Sequence, residues 1–202
     1  MTEPLWILGG GGHAKVVIAT ARAAGFTSIE IADDDPGRAG SELLGARVET
    51  TIMEVIQRPE LLCVLAVGDN RTRHRLAATA RCRFATLQHP SAIVHESVNL
   101  GAGTVVFAGS VIQPDSRLGA HVIVNTGASI DHDCVLEDAV HVAPGVRLAG
   151  NVTLRIGSFL GISAAVIPGK TLGAWSRVGA GGVVINDLAD GVTAVGVPAR
   201  PH

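Results

Sequence analysis

Residues 124–148 read VNTGASIDHDCVLEDAVHVAPGVRL, with an aliphatic side chain at Val124, Ile130, Leu136, Val142 and Leu148. Stepping outward by six adds Val94, Leu100, Val106, Ile112 and Leu118 on one side and Leu154, Leu160, Val166, Leu172, Val178 and Val184 on the other. Every position of this register from 94 to 184 is therefore Val, Ile or Leu. A period of six fits neither the 3.6-residue turn of an α-helix nor plain strand alternation, whereas short strands joined by turns repeat in this way. The pattern predicts a parallel β-helix: each hexapeptide is one flat face with its aliphatic inward, and three faces make a coil. Residues one coil apart then stack at roughly the 4.7–4.9 Å spacing of paired strands.

The other places of the hexapeptide agree. Two residues before each aliphatic stands a mostly small residue (Thr104, Ser110, Ser116, Ala128, Cys134, Ser158, Ala164) suited to a corner, with Lys170 the clear exception. Glycine recurs at the fourth place (Gly103, Gly109, Gly127, Gly145, Gly157, Gly169, Gly181), where a turn needs unusual backbone angles. Pro114, Pro144 and Pro168 all fall at the third.

Aromatics are 3% of the chain and Tyr is absent, which suits a core of stacked aliphatics. A net charge of -2 without blocks of like charge gives no nucleic-acid footprint and leaves a small molecule as the default partner. Met1–Leu8 has no basic n-region, and no stretch approaches the roughly 20 apolar residues of a membrane span, so a cytoplasmic location is expected. Cys63, Cys82 and Cys134 are odd in number and widely spaced, which argues against a disulfide framework and against a zinc cluster.

Residues 1–83 read as a small Rossmann-like unit of alternating strands and helices. Strands are expected at Leu5–Leu8, Ser28–Ala32 and Leu61–Val67, and helices after Gly12, over Thr50–Arg58 and over Arg71–Arg83. Ligands of such sheets bind beyond the carboxyl ends of the strands. Three loops meet there: Gly9–Lys15 with Gly11, Gly12 and His13; Asp33–Asp34; and Gly68–Asp69–Asn70. The glycine loop opens a helix whose free N–H groups favour phosphate, and Asp33 lies where an acid meets a ribose hydroxyl. The unit is only half of a full dinucleotide fold, so a mononucleotide or nucleotide sugar fits better than NAD; a purely structural glycine turn is the other reading. His13 reads either as a ligand group or as a helix cap, and the group Arg71, Arg73, Arg75 reads as a solvated helix end. Residues 84–93 read as a linker, 94–187 as the β-helix and 188–202 as a tail.

The whole arrangement resembles the two-domain hexapeptide-repeat sugar acetyltransferases, the family of the UDP-4-amino-sugar N-acetyltransferases of bacillosamine synthesis, the perosamine N-acetyltransferases and the enzymes described as sialic acid O-acetyltransferases. The resemblance rests on Gly11-Gly12-His13, Asp33-Asp34, Gly68-Asp69-Asn70, His89-Pro90-Ser91-Ala92-Ile93-Val94, the block from Asn125-Thr126 through Asp131-His132-Asp133-Cys134 to His141, and Gly196-Val197-Pro198-Ala199-Arg200. It implies a left-handed helix and a homotrimer with acetyl-CoA between adjacent subunits, and no metal. It also implies a nucleotide-linked amino sugar as acceptor, held by Gly11, Gly12, His13, Asp33, Asp34, Gly68 and Asn125. Acetyl-CoA contacts are implied for His141, Gly150, Ile162 and Ala180. A sugar or sialic acid O-acetyltransferase and a non-enzymatic sugar-nucleotide-binding β-helix are the alternatives.

Acetyl transfer to an amine needs a proton acceptor and an oxyanion donor. His132 is the candidate base, since Asp131 or Asp133 beside it would fix its tautomer; the resemblance gives that part to Asp133. Gly150 stacks one coil beyond His132, where its N–H would meet the thioester oxygen. His141 is half a coil from His132 and faces another side of one chain. His95 and His121 read as solvated, and Cys134 as core. His121, His132 and His141 occupy different places of their hexapeptides, so they do not converge on a zinc ion as in a β-helical carbonic anhydrase.

Overall fold

A computed structural model describes residues 3–202; Met1 and Thr2, which open the expected N-terminal unit, lie outside the described residues. The N-terminal sheet is built on β1 (Leu5–Leu8), buried along its whole length and paired in parallel with β2 (Ile29–Ala32) and β5 (Leu62–Leu65). Beyond β2 lie β4 (Ala46–Thr50) and β3 (Glu42–Leu43), and beyond β5 lies β6 (Arg83–Phe84), giving the order β3-β4-β2-β1-β5-β6. The β3–β4 hairpin was not expected. Its two-residue turn holds Leu44 and Gly45 at φ 49° and 72°, and a leucine at the first of these gives none of the usual Asn-Gly signal.

Helices α1 (Gly12–Ala23), α2 (Ile52–Ile56) and α3 (Asn70–Thr79) cover this sheet. The third is shorter than the expected Arg71–Arg83. Ala80 leaves the helix with ψ 145°, the N–H groups of Arg81 and Cys82 both donate to the Ile56 carbonyl, and Arg83–Phe84 joins the sheet.

The remainder is a parallel β-helix of two-residue strands. Its first face carries Leu87–Gln88, Val105–Val106, Ile123–Val124, His141–Val142, Phe159–Leu160 and Arg177–Val178; the second runs from Ile93–Val94 to Val183–Val184; the third runs from Asn99–Leu100 to Thr171–Leu172. Partners are one coil apart throughout, as Ile112 with Ile130 and Leu118 with Leu136. The period-six aliphatics fill one continuous core, each burial contributing about 1.5–3 kcal/mol. Three corner hydroxyls are buried and bonded, Thr104, Ser110 and Ser116 donating to the carbonyls of Gly119, Asn125 and Asp131, while those of Ser158 and Ser176 are buried without a protein partner.

Every fourth place from Gly103 to Gly181 has φ between 56° and 72°. Half of these residues are glycine; the others are Asp115, His121, Asp133, Ala139, Asn151, Ser163 and Trp175. A left-handed residue following a third-place proline is the chemistry of a tight type II turn. The repeat is thus a backbone rule that side chains accept.

Residues 84–93 do not form a free linker. Phe84 pairs with β5, Leu87–Gln88 with Val105–Val106, and Ile93–Val94 with Val111–Ile112, so the chain passes from one sheet into the first coil without a break. Part of the expected tail is also built in, because Thr193–Val195 continues the first face and Arg200–Pro201 turns back beside it.

The N-terminal unit sits on the first face. Leu87, Val105, Phe107 and Ile123 share one buried cluster with Ala14, Val17, Ile18 and Ala21 of α1. Arg73, read as a solvated helix end, is 1% exposed. Its Nε donates to the His121 carbonyl (2.9 Å) and its Nη2 to the Ala139 carbonyl (2.7 Å) and to Asn70 Oδ1 (3.0 Å). Asn70 Nδ2 in turn donates to the Gly157 carbonyl (3.0 Å). His121, read as solvated, is also buried, with its ring edge-on to Phe84 at 4.4 Å. Both readings failed because one-dimensional spacing does not show which face of the solenoid another domain covers. Arg73→Ala leaves several buried carbonyls without donors and should lower unfolding free energy by about 2–4 kcal/mol, read from urea melts.

Candidate functional site

Two constellations stand on different sides of the chain. One lies where the N-terminal unit meets the first face. The glycine loop follows β1, and α1 starts at Gly12 with Gly11 as an N-cap that offers no side-chain acceptor. A side chain at Gly11, Gly12 or Gly68 would meet nothing within 4 Å, so these loops border open space, with helix N–H groups at one wall.

His13, on the first turn of α1, and His141, on the first face, come together across the boundary with ring centroids 6.3 Å apart. His13 packs edge-on to Phe107 and His141 to Phe159. Asn125 Nδ2 lies 3.3 Å from His141 Nε2. His13 Nε2 and His141 Nδ1 are buried without a protein partner. Burial, reinforced by the Arg73 charge, pushes His13 down to about 4 and His141 to about 3, so both rings are neutral at pH 7. They are polar, uncharged hydrogen-bonding groups.

Asp33 and Asp34 lie in the loop directly after β2, where they were expected, and both also accept backbone N–H groups. The Asp33 carboxylate accepts from the N–H of Gly10 (2.5 Å) and of Asp35 (2.8 Å), while Arg38 Nη1 donates to the Gly10 carbonyl (2.8 Å). Asp34 Oδ1 accepts from the Ile52 N–H (2.8 Å) at the start of α2. Both acids therefore hold loops in shape. Beside them, Asp33–Pro36, Ala39 and Val48–Thr51 line a cavity of about 230 Å³ at the ends of β2 and β4.

The second constellation is on the corner between the second and third faces. His132 Nδ1 lies 2.7 Å from Asp133 Oδ2. Neighbouring side chains of an extended strand diverge, and the contact exists because Asp133 takes φ 58° at the left-handed fourth place, which Asp tolerates better than most residues. Asp131 caps instead: its Oδ1 accepts from the His132 N–H (2.8 Å) and is not paired with the ring. The Asp133 hydrogen bond, with smaller help from the charges of Asp131 and Asp133, raises His132 above the usual imidazole value. Gly150 is stacked against this ring as expected, a Cβ there falling 2.6 Å from His132 Nε2. Ile162, 58% exposed, and Ala180 lie on the opposite corner, between the first and second faces. Cys134 is buried and donates to the Ala149 carbonyl, as a core residue. Among the described residues no group of three or more His, Cys, Asp or Glu is gathered for a metal ion, and no helix is long and apolar enough to cross a membrane.

A family model for the PglD N-terminal domain matches residues 4–80. The acetyltransferase domain of PglB from Neisseria gonorrhoeae FA1090, solved in complex with acetyl coenzyme A, is 37% identical with a TM-score of 0.94 over 100% of both chains. PerB from Caulobacter crescentus, in complex with CoA and GDP-perosamine, is 45% identical with a TM-score of 0.93 over 100% of this chain and 98% of that one. UDP-N-acetylbacillosamine N-acetyltransferase from Bacillus subtilis (strain 168) is 42% identical over 110 residues, 50% of this chain and 50% of that protein, so the match spans half of that relative's length. The shared fold is a Rossmann-like sheet joined to a left-handed parallel β-helix.

Asp33→Ala should lower stability by about 1–2 kcal/mol in denaturant melts, since two backbone N–H groups lose their acceptor. A residue that only touched a ribose would leave the melt unchanged.

Proposed function

Because this chain belongs to the two-domain hexapeptide-repeat sugar N-acetyltransferases, we propose that it transfers acetyl from acetyl-CoA to the amine of a nucleotide-linked amino sugar. The observation that carries this reading is the His132–Asp133 pair on the corner, with Gly150 one coil away. Asp133 accepts a hydrogen bond from Nδ1–H, which keeps the proton there and leaves Nε2 as the basic nitrogen. The substrate amine attacks the thioester carbonyl, and the new C–N bond forms as Nε2 takes the amine proton. The Gly150 N–H stabilises the oxyanion, the C–S bond breaks, and the proton on His132 leaves with the thiolate as CoA thiol. Support for the direct route comes from Cys134, which is buried with its thiol pushed up by that burial and is no nucleophile.

The nucleotide part lies along the open space at Gly11, Gly12 and Gly68. His13, His141 and Asn125, neutral and close together, hydrogen-bond the sugar or the pantetheine without adding charge. A cytoplasmic location accords with both substrates.

The functional unit in this reading is a homotrimer. The first face is taken by the N-terminal unit. The second face presents small and aliphatic groups outward, including Ile93, Val111, Ala165, Val183, Ile167 and Ile185, together with Gln113, Asp131 and the exposed Arg147. Its two edges are the corner with His132 and Gly150 and the corner with Ile162 and Ala180. Closing three such faces around an axis sets one chain's first corner beside the neighbour's second, with acetyl-CoA between them.

His132→Ala should lower kcat by about 10²- to 10⁴-fold with acetyl-CoA affinity nearly unchanged; a wild-type kcat at saturation rules out the base. The base must be unprotonated to act, and Asp133 raises its pKa, so the acidic limb of the kcat/KM profile should have its midpoint above the usual imidazole value of about 6.5. Asp133→Asn removes that cause and should move the limb to lower pH. For the shared site, an inactive His132→Ala chain mixed with an inactive His141→Ala chain should recover activity, and no recovery excludes it.

A further inference from the structure

Three large side chains of the β-helix lie against a glycine one coil away: His121 against Gly103, Trp175 against Gly157 and His132 against Gly150. The first two rings receive the N-terminal unit. Phe84 packs on His121, while Arg71 lies 4.6 Å over Trp175 and His74 lies 5.6 Å from it. Gly103 and Gly157 also have φ of 72° and 65°, so their glycines serve the backbone as well.

Gly150 differs. It stands at the third place of its hexapeptide, where Pro114, His132, Pro144, Ile162 and Pro168 carry side chains, and its φ is outside the left-handed region. The turn does not require glycine here. The three atoms nearest to a Cβ at this position are all in the His132 ring: Cε1 and Nε2 at 2.6 Å and Cδ2 at 3.2 Å. Real contacts are never that short, so either the ring or the methyl has to give way.

We propose that Gly150 is a positioning residue, its missing side chain being the seat that holds the His132 imidazole within reach of Asp133. The catalytic consequence rests on His132 being the base; the seat itself does not. This separates two roles of one residue, because Gly150→Ala keeps the backbone N–H that would serve an oxyanion and removes only the space.

A double-mutant cycle tests the contact. Thermal melts of the full chain, Gly150→Ala, His132→Ala and the double variant should show that alanine at 150 lowers Tm in the wild-type background and has no effect once the ring is gone. The ring protons of His132, followed by NMR, should titrate in Gly150→Ala at a lower pH than in the wild type, as the ring leaves Asp133 and Asp131. The rate should fall about 10²-fold, as for a misplaced reacting group. Additive melts with an unchanged titration overturn the seat. A shifted titration with wild-type kcat keeps the seat and overturns His132 as the base. Should Gly150→Ala fail to fold, recovery of folding in the double variant supports the contact, and equal failure overturns it.

Discussion

The left-handed turn at every fourth place is the constraint on which the molecule depends. An L-residue there costs about 1–2 kcal/mol relative to ordinary helical or extended backbone, and the chain meets that cost at seven non-glycine positions. Stacking makes this tolerable. Each turn hydrogen-bonds to the next coil, as Asp133 N–H to the Pro114 carbonyl and Asn151 N–H to the His132 carbonyl, so that no single residue can relax alone. The same turn folds Asp133 back on to His132. A scaffold rule thereby creates the one tight His–carboxylate contact of the surface corner.

The two constellations differ in electrostatic character for a reason visible in their packing. His132 is exposed beside two carboxylates, so its charged form is favoured. His13 and His141 are enclosed near a guanidinium that has carbonyls and a carboxamide, but no carboxylate, as hydrogen-bond partners, so their charged forms are disfavoured. Arg73 itself is pushed down to about 10 by burial and stays protonated at neutral pH. One chain thus offers a basic imidazole and two neutral ones, set by burial and neighbours alone.

Much of this was legible in the sequence, because a solenoid writes its contacts at fixed intervals. The inward aliphatics, the corner hydroxyls, the core position of Cys134 and the stacking of Gly150 on His132 all follow from counting. What could not be counted was the surface on which the other domain rests. Arg73 and His121 look solvated until α3 is laid on the corner, and His13 and His141 are 128 residues apart in sequence (141 minus 13) yet neighbours in space. The acids at Asp33 and Asp34 were found in the right loops, but spacing alone does not distinguish a carboxylate that meets a ligand from one that accepts its own backbone. The β3–β4 hairpin was hidden for a simpler reason, the unusual Leu44 at its turn.

The clamp formed by Asn70 and Arg73 also works as a ruler. The carbonyls it grips belong to His121, Ala139 and Gly157, three fourth-place residues on three successive coils. A residue inserted or deleted between 121 and 157, unless a local bulge absorbed it, would carry one of these carbonyls out of register with the clamp. The docking of one domain therefore holds the coil register of the other, along the segment that contains His132, Asp133, His141 and Gly150.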